Sequence, residues 1–131
     1  MADYTIRNLK QVEDAAPKFD MSPGIEARFA RGDLELEQTG ISYQRLAPNF
    51  RVPFGHKHAD QEEIYVVLSG GGRLKLEDEI VDVGQWDAIR IAAGTMRGVE
   101  AGDEGLELLA FGGPTNGKPN DAEMQPGWWS D

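Results

Sequence analysis

The sequence predicts an all-β fold, either a sandwich or a small barrel, and two observations support this prediction. Sixteen glycines and seven prolines divide the 131-residue chain at short intervals. The segments between them are short and rich in Val, Ile, Tyr, Phe and Leu, which favour β-strands. Many short strands separated by turn residues are typical of sandwiches and barrels. A chain of this length is expected to form a single domain over residues 1–131.

Eight segments have the length and composition of a β-strand. They are Ile25–Ala30, Ile41–Leu46, Glu63–Leu68, Arg73–Leu76, Ile80–Val83, Ala88–Ala92, Met96–Glu100 and Leu106–Phe111. Turn-forming residues separate them, and Gly70–Gly72 and Gly102–Gly105 are interpreted as two of these turns. Residues 5–16 and residues 31–38 are each expected to contain a short helical turn. Trp86 is expected to lie in the core.

The expected barrel core covers residues 40–112 and follows an N-terminal arm, residues 1–39. Residues 113–131 are rich in Gly, Pro and Asn, which predicts an irregular tail. This tail contains Trp128 and Trp129, and each indole can bury roughly 150–250 Å². We therefore expect the tail to fold back and dock on the barrel or on a second subunit.

Charge and composition exclude several partners and environments. The formal net charge is −10 and the pI is about 4.6, so we expect no binding to nucleic acid or to anionic membranes. No apolar run approaches the roughly 18–20 residues of a membrane helix. The chain has no cysteine, and its first residues lack the basic and apolar segments of a signal peptide. These features predict a cytoplasmic protein.

The two histidines of the chain form its most distinctive chemical feature. His56 and His58 are two residues apart, and such residues point to the same face of a strand. Neutral imidazole is a common ligand of Zn, Fe, Ni and Cu. Glu63 follows after four intervening residues and could complete a two-histidine, one-carboxylate metal site with open positions for water or substrate. Each of these features alone is more often an ordinary solvated surface group.

The surrounding segment, PFGHKHADQEEIYVVLSGGG, resembles the first motif of the cupin superfamily. That motif consists of His-x-His, three or four residues, Glu, six residues and Gly. His56, His58, Glu63 and Gly70 match it with a gap of four residues. The glycine that the motif places six residues before the first histidine is absent, and Phe50 occupies its position.

The second cupin motif is a glycine, a short strand and Pro-x-Gly-x-x-His, and GQWDAIRIAAGTMRGV matches it less completely. Gly84 and Gly94 match the two glycines with the spacing stretched by two residues, whereas Ala92 replaces the proline and Arg97 the final histidine. The resemblance covers roughly residues 40–112 and extends to a group of small single-domain cupins without an assigned activity. It implies a double-stranded β-helix, a jelly-roll-like barrel of two facing antiparallel sheets, with metal ligands facing the interior.

Arg97 leaves the nature of the site open. A guanidinium stays charged and has no lone pair for a metal, so at most three of the four usual cupin ligands remain. Two unit charges 4 Å apart interact by about 4 kcal/mol at an effective dielectric constant of 20, and a divalent ion doubles that energy.

Three arrangements of Arg97 are compatible with the sequence. Arg97 turns aside and a metal binds to His56, His58 and Glu63; or no metal binds and Arg97 pairs with Glu63. In the third arrangement, which is compatible with either of the others, Arg97 clamps an anionic group of a ligand. The expected cofactor is therefore one divalent transition metal (Fe, Mn, Ni, Zn or Cu) or none.

The strand that begins at Glu63 is apolar on both of its faces. If Glu63 points inward, Tyr65 does so too, which makes Tyr65 a candidate substrate-binding residue together with Arg97. Tyr43 is expected to line the same cavity. Ile64 and the apolar residues in phase with it then point outward, as in a strand that is covered on both faces. The N-terminal arm or a second subunit would cover them, and the second alternative predicts a homodimer.

Three kinds of function remain open at this point. The first is a small cupin enzyme that uses a divalent metal and acts on a small anionic substrate. The second is a metal-free module that binds a small acidic molecule through Arg97, and the third is a barrel in which Glu63 and Arg97 form a purely structural pair. The partner in the first two is a small-molecule ligand. No sequence feature identifies a catalytic residue or chooses a reaction, because a fold does not determine a function.

Overall fold

The computed structural model describes residues 1–116 and 121–129, and this part of the chain is dominated by β-strands. The strands are β1 (Ile25–Phe29), β2 (Gly40–Leu46), β3 (Phe54–His58), β4 (Glu62–Leu76), β5 (Glu79–Gly84), β6 (Ala88–Ile91), β7 (Arg97–Gly113) and β8 (Ala122–Pro126). Their pairings are antiparallel. Among the described residues, no helix has the length and apolar character needed to cross a membrane.

The two long strands β4 and β7 join the two faces of the barrel. They contain 15 and 17 residues and pair with each other along nearly their whole length. One half of this pair continues through β2 to β1 on one side and to β6 on the other. The other half continues through β3 to β8 and, on its other side, to β5. The sheet therefore curls into the predicted all-β, jelly-roll-like double-stranded β-helix.

The glycines interpreted as turns lie inside these long strands. Gly70–Gly72 belong to β4 and Gly102–Gly105 belong to β7. The β4–β7 register shifts between Gly70 and Gly72, and a Cβ atom on Gly72 would lie 2.0 Å from the carbonyl oxygen of Glu100. Glycine is needed there because the two backbones approach closely where the strands bend. Four predicted strands therefore merge into two.

The core lies between the two halves of the barrel. Its largest fully buried apolar side chains come from β2, β4 and β7, namely Leu46, Val67, Leu74, Leu106 and Leu108. The inward phase predicted for β4 is present, because Tyr65 is only 3% exposed whereas Ile64 on the opposite face is 41% exposed.

The prediction that Trp86 lies in the core is wrong. Trp86 follows β5 in a turn, has a φ of 70° and is 70% exposed. A positive φ is uncommon for a bulky residue, and in this turn the indole points away from the barrel. The hydrophobic character of a residue alone therefore does not predict burial when the residue lies in an exposed turn.

Tyr43 is buried, but it does not line the cavity with Tyr65. It pairs with Leu109 on β7, which in turn pairs with Val66 on β4, so Tyr43 lies on the outer face of the sheet. Its hydroxyl donates to a carboxylate oxygen of Glu107. The alternation of β2 is therefore one residue out of phase with the prediction.

The arm contains the predicted strand β1 and a helical turn within residues 5–16, and the tail contains more regular structure than expected. The arm contributes β1 and two short 3-10 helices, Leu9–Gln11 and Ala16–Phe19, whereas residues 31–38 form turns without a helix. The predicted irregular tail contains β8, which pairs with β3. Residues 117–120 and 130–131 of the tail lie outside the described residues.

Trp128 shows how the tail docks on the barrel. Cβ atoms placed on Gly55 and Gly98 would each lie 2.7 Å from its indole ring, so the ring lies directly over two glycines. The Lys75 ammonium donates to the carbonyl oxygen of Trp128 at 2.6 Å and lies 4.4 Å from its ring centroid. The docking on the barrel that the two tryptophans predict is therefore present within this chain.

Candidate metal centre

Three side chains from two strands converge at one end of the barrel. His56 and His58 lie on β3, and their ring centroids are 5.2 Å apart with the rings at 89°. The alternation of the strand places both imidazoles on one face, as the spacing predicts. Glu63, the second residue of β4, faces them from the other half of the barrel. The structure therefore brings together the three predicted ligands.

The donor atoms have separations that suit a metal ion. One donor atom from each of the three residues lies within 4.8 Å of the other two. Glu63 Oε1 is 3.8 Å from His56 Nε2, and Glu63 Oε2 is 3.4 Å from His58 Nε2. Bonds of about 2.0–2.2 Å to one ion would place neighbouring ligand atoms roughly 3.0–3.5 Å apart. Small side-chain adjustments would therefore bring these donors onto one ion.

His58 presents an orphaned nitrogen to this cluster. Its Nε2 atom is buried and has no hydrogen-bond partner among the described residues, since the geometry toward Glu63 does not make a hydrogen bond. Its other nitrogen, Nδ1, lies 2.7 Å from Asp121 Oδ1. Leaving a buried polar atom without a partner is costly. The donor set and this nitrogen together fit a transition metal.

Arg97 lies at the start of β7, where it pairs with His56 in the sheet. Its side chain is completely buried. Its guanidinium donates to Glu63 Oε1 at 2.9 Å and to the carbonyl oxygen of Ala92 at 3.3 Å. Glu63 therefore uses one oxygen for Arg97 and directs the other toward His58.

Electrostatic interactions within the cluster stabilise its charged forms. Burial by itself would raise the pKa of Glu63, but contacts with His56 and His58 outweigh it and hold that pKa well below its usual range. Burial by itself would lower the pKa of His58, but contacts with the carboxylates of Glu63 and Asp121 outweigh it and raise that pKa. Without a metal, His58 therefore binds a proton more tightly than an ordinary histidine does.

Tyr65 lies behind the cluster on the inner face of β4. It is 3% exposed, and burial, aided by the negative charge of Glu63, raises its pKa well above the usual value. Its phenol therefore remains neutral at physiological pH and acts as a hydrogen-bonding group. Its predicted role in substrate binding stays a prediction.

Access to the cluster is unequal among its members. The side chain of His56 is 25% exposed, compared with 13% for His58 and 12% for Glu63. Two surface clefts of about 430 and 230 Å³ lie elsewhere, and neither is lined by these three residues or by Arg97. His56 is therefore the member of the cluster most accessible to solvent.

Asp121 and Gln61 contact the cluster from outside the predicted residues. Asp121 follows His58 by 63 positions, and Gln61 donates to Asp121 Oδ1 through its side-chain amide at 2.8 Å. No local spacing signals either residue. The pairing of β3 with β8, which no local pattern in the sequence indicates, brings Asp121 to His58.

Comparison with known proteins gives the family and the fold. Residues 42–112 match the family model described as the cupin domain. The fold is similar to that of a cupin protein from Bacteroides fragilis, with a TM-score of 0.71 and 23% identity over 92% of each chain. No curated protein matches the chain in sequence.

Two further solved structures have a similar fold. Oxalate decarboxylase from Bacillus subtilis has a TM-score of 0.75 and 20% identity, covering 94% of this chain and 33% of that one. KdgF from Halomonas sp. has a TM-score of 0.65 and 18% identity, covering 86% of this chain and 94% of that one. At these identities the likeness shows the fold alone, whereas the family match covers more than half of the 131 residues. The chain belongs to the cupin domain family.

Proposed function

We propose that this protein is a divalent-metal-dependent enzyme that acts on a small anionic substrate. His56, His58 and Glu63 would hold the metal, which is Fe, Mn, Ni, Zn or Cu. The observation that supports this proposal most directly is the buried Nε2 atom of His58, which faces Glu63 and has no hydrogen-bond partner among the described residues. A metal ion would use this lone pair, whereas a purely structural histidine would be expected to have both nitrogens satisfied.

The three residues leave room for chemistry at the ion. Two imidazoles and one carboxylate leave open positions for water or substrate. When bound, the metal would supply Lewis acidity, polarising a substrate oxygen or activating water. Neighbouring residues of the barrel hold the three candidate ligands in place. The neutral phenol of Tyr65 offers a hydrogen-bonding group beside Glu63.

The charges of the centre favour an anionic substrate. Glu63 and Asp121 carry negative charge, and Arg97 carries a fixed positive charge against Glu63. Adding a divalent ion would leave the group with a net positive charge, although the surrounding protein is strongly acidic. A carboxylate or similar anion would be attracted to such a centre. Arg97 itself would act through its charge, because it is buried and its contacts are within the barrel. We place this activity in the cytoplasm, as the cysteine-free sequence predicts.

The test is to measure metal binding by untagged protein. We expect close to one Fe, Mn, Ni, Zn or Cu per chain by plasma mass spectrometry, after purification or after reconstitution. H58Q and E63Q should lose the metal. E62Q is the matched control, because Glu62 is the neighbouring carboxylate but is exposed and pairs with Arg90. Equal metal content in E62Q and E63Q, or no metal in any protein after reconstitution, would remove the proposal.

A second candidate function is metal-free binding of a small acidic ligand. It is favoured by the ion pair of Arg97 with Glu63, because Arg97 is completely buried and takes one of the carboxylate oxygens. Protonated His58 would then complete the charge balance, and His56 would contact the ligand from the exposed side. This candidate predicts that chelators change neither stability nor ligand binding. A ligand that still binds in excess chelator, with binding lost in H56Q, would favour it over the enzyme.

A further inference from the structure

The carboxylate of Asp121 lies in an unusual position for a residue of the tail. Asp121 stands immediately before β8, and its side chain is only 3% exposed. Its Oδ1 atom is 2.7 Å from His58 Nδ1. The residues that match the cupin family model end at position 112, so Asp121 lies outside that match.

Four hydrogen bonds to Asp121 fix its orientation. Besides its contact with His58, Oδ1 accepts from the side-chain amide of Gln61 at 2.8 Å. Oδ2 accepts from the backbone N–H groups of Asp60 and Gln61 at 2.8 and 3.2 Å. Residues 60 and 61 connect His58 to Glu63. The carboxylate of Asp121 therefore holds His58 and also the loop that connects His58 to Glu63.

This contact selects one tautomer of His58. A carboxylate only accepts hydrogen bonds, so neutral His58 carries its proton on Nδ1 and its lone pair on Nε2. Nε2 is the atom that faces Glu63 Oε2. Histidine ligands of metals commonly donate their other N–H to a carboxylate, which fixes the ring and increases its basicity.

Strand pairing and the docked indole hold Asp121 in place. β8 pairs with β3 so that Ala122 lies opposite His58 and Met124 lies opposite His56. Beyond β8, Trp128 lies over Gly55 and Gly98, next to His56 and Arg97 in the sequence. Residues 122–128 are thus attached to β3, which carries His56 and His58, and to β7, which carries Arg97.

We propose that Asp121 is a positioning residue of the metal centre and that the C-terminal strand β8 completes this centre. Asp121 fixes His58 as the Nδ1–H tautomer and directs Nε2 toward the metal. The inference rests on the proposed metal function for its consequence, but the state of the imidazole can be measured without a metal.

The first experiment measures the tautomer directly in the metal-free wild-type protein. Two-dimensional ¹⁵N–¹H spectra of the imidazoles are recorded in excess chelator, at a pH where His58 is neutral. We expect His58 to carry its proton on Nδ1 in the wild type and to become a mixture of tautomers in D121A. A wild-type His58 protonated on Nε2 would overturn the proposal, and this result does not depend on whether any variant folds.

The second experiment measures the dissociation constant of Co²⁺ or Zn²⁺ by competition with a chelator. D121N and D121A should bind the metal roughly 10- to 100-fold more weakly than the wild type, as is typical when such a partner is removed. E123Q is the matched control, because it removes one negative charge two residues from Asp121, while Glu123 is 71% exposed and contacts Lys57. It should change the constant by less than about twofold.

These results separate the two proposals. If the wild type binds no metal, the proposed function fails, and the spectra alone decide whether Asp121 positions His58. If the wild type binds metal and D121N, D121A and E123Q bind it equally well, the proposed function stands and the role of Asp121 is refuted. The visible spectrum of bound Co²⁺ provides a further readout, because a displaced His58 changes the coordination geometry.

Discussion

Arg97 is a buried cation at the position where the second cupin motif has a histidine. It donates to Glu63 Oε1, so in this chain a fixed positive charge holds the Glu63 carboxylate. Two of the alternatives left open by the sequence, metal binding by Glu63 and its ion pair with Arg97, are therefore compatible. The Glu63 carboxylate has one oxygen for Arg97 and one for a metal. The remaining oxygen, Oε2, faces His58.

Replacing Arg97 by histidine tests what this position contributes. R97H would offer an imidazole at the position of the fourth ligand that the motif implies, and it would remove a positive charge next to the ion. We expect R97H to bind Co²⁺ or Zn²⁺ at least tenfold more tightly than R97Q, which removes the charge without adding a ligand. The measurement is competition with a chelator. Equal affinities of R97H and R97Q would show that this position cannot reach the ion.

We predict that His58 makes the stability of the metal-free protein and the affinity for a metal respond to pH in opposite directions. Its pKa is raised in the folded chain, so in the absence of metal it stabilises the fold below about pH 6.5, and this contribution is lost as the pH rises through the raised pKa. A metal must displace the same proton. Metal affinity should therefore fall by about tenfold per pH unit below that pKa, and level off above it.

The measurement for this prediction is urea unfolding at pH 6 and pH 9, with excess chelator and with excess metal. The difference in unfolding free energy between the wild type and H58Q isolates His58 from the other titrating groups. With chelator this difference should be larger at pH 6, and with metal it should be larger at pH 9. A difference that is independent of pH in both conditions would contradict the raised pKa.

At the scale of a residue, spacing predicts that the three candidate ligands lie together, and the structure brings them together. His56 and His58 share a face because strand alternation has a period of two, and the four-residue gap before Glu63 leaves room for the chain to cross to β4. Spacing could not find Asp121, because its contact with His58 depends on a strand pairing across 63 positions. Spacing also does not predict that Tyr43 points to the outer face of the sheet, where its side chain contacts Lys10 and Glu107.

At the scale of an element, glycines were the least reliable guide. Those at 70–72, 102 and 105 predict turns, yet here they lie inside β4 and β7, where the missing Cβ atoms of Gly70 and Gly72 allow the two backbones to approach closely. Glycine composition does not distinguish a turn from a bend within a long strand. The prediction of an irregular tail is wrong for residues 122–126, because these residues form a strand only by pairing with β3.

Gly98 allows a direct test of how the tail is attached. A Cβ atom on Gly98 would lie 2.7 Å from Trp128 Cδ1 and 3.3 Å from Trp129 Nε1, so G98A should push the indoles away from the barrel. We expect a loss of about 1–3 kcal/mol of unfolding free energy and a red shift of tryptophan fluorescence. G40A is the control, since a Cβ atom there has no neighbour within 4 Å. If both variants are equally stable, the tail does not rest on this strand.

At the scale of the whole molecule, one outer face of the sheet is apolar and is not covered by any of the described residues. Ile64 and Phe111 are opposite each other on β4 and β7 and are 41% and 38% exposed. The arm covers only the neighbouring region, where the Lys10 ammonium lies 4.3 Å from the ring centroid of Tyr43. A contiguous exposed apolar patch of this kind commonly marks an interaction site. The homodimer expected from the sequence therefore remains our prediction, with this face as its interface.

Light scattering coupled to size-exclusion chromatography tests this interface. We expect the wild type to be a two-fold symmetric dimer that buries about 800 Å² per subunit. F111E places a charge at the centre of the patch and should give a monomer, because an unpaired charge cannot be buried cheaply between two copies. I80E is the control, because Ile80 is 44% exposed on β5 in the other half of the barrel, and this variant should remain a dimer. A wild type that is monomeric at about 100 μM, or an F111E variant that is still a dimer, would show that the two copies do not meet at this face.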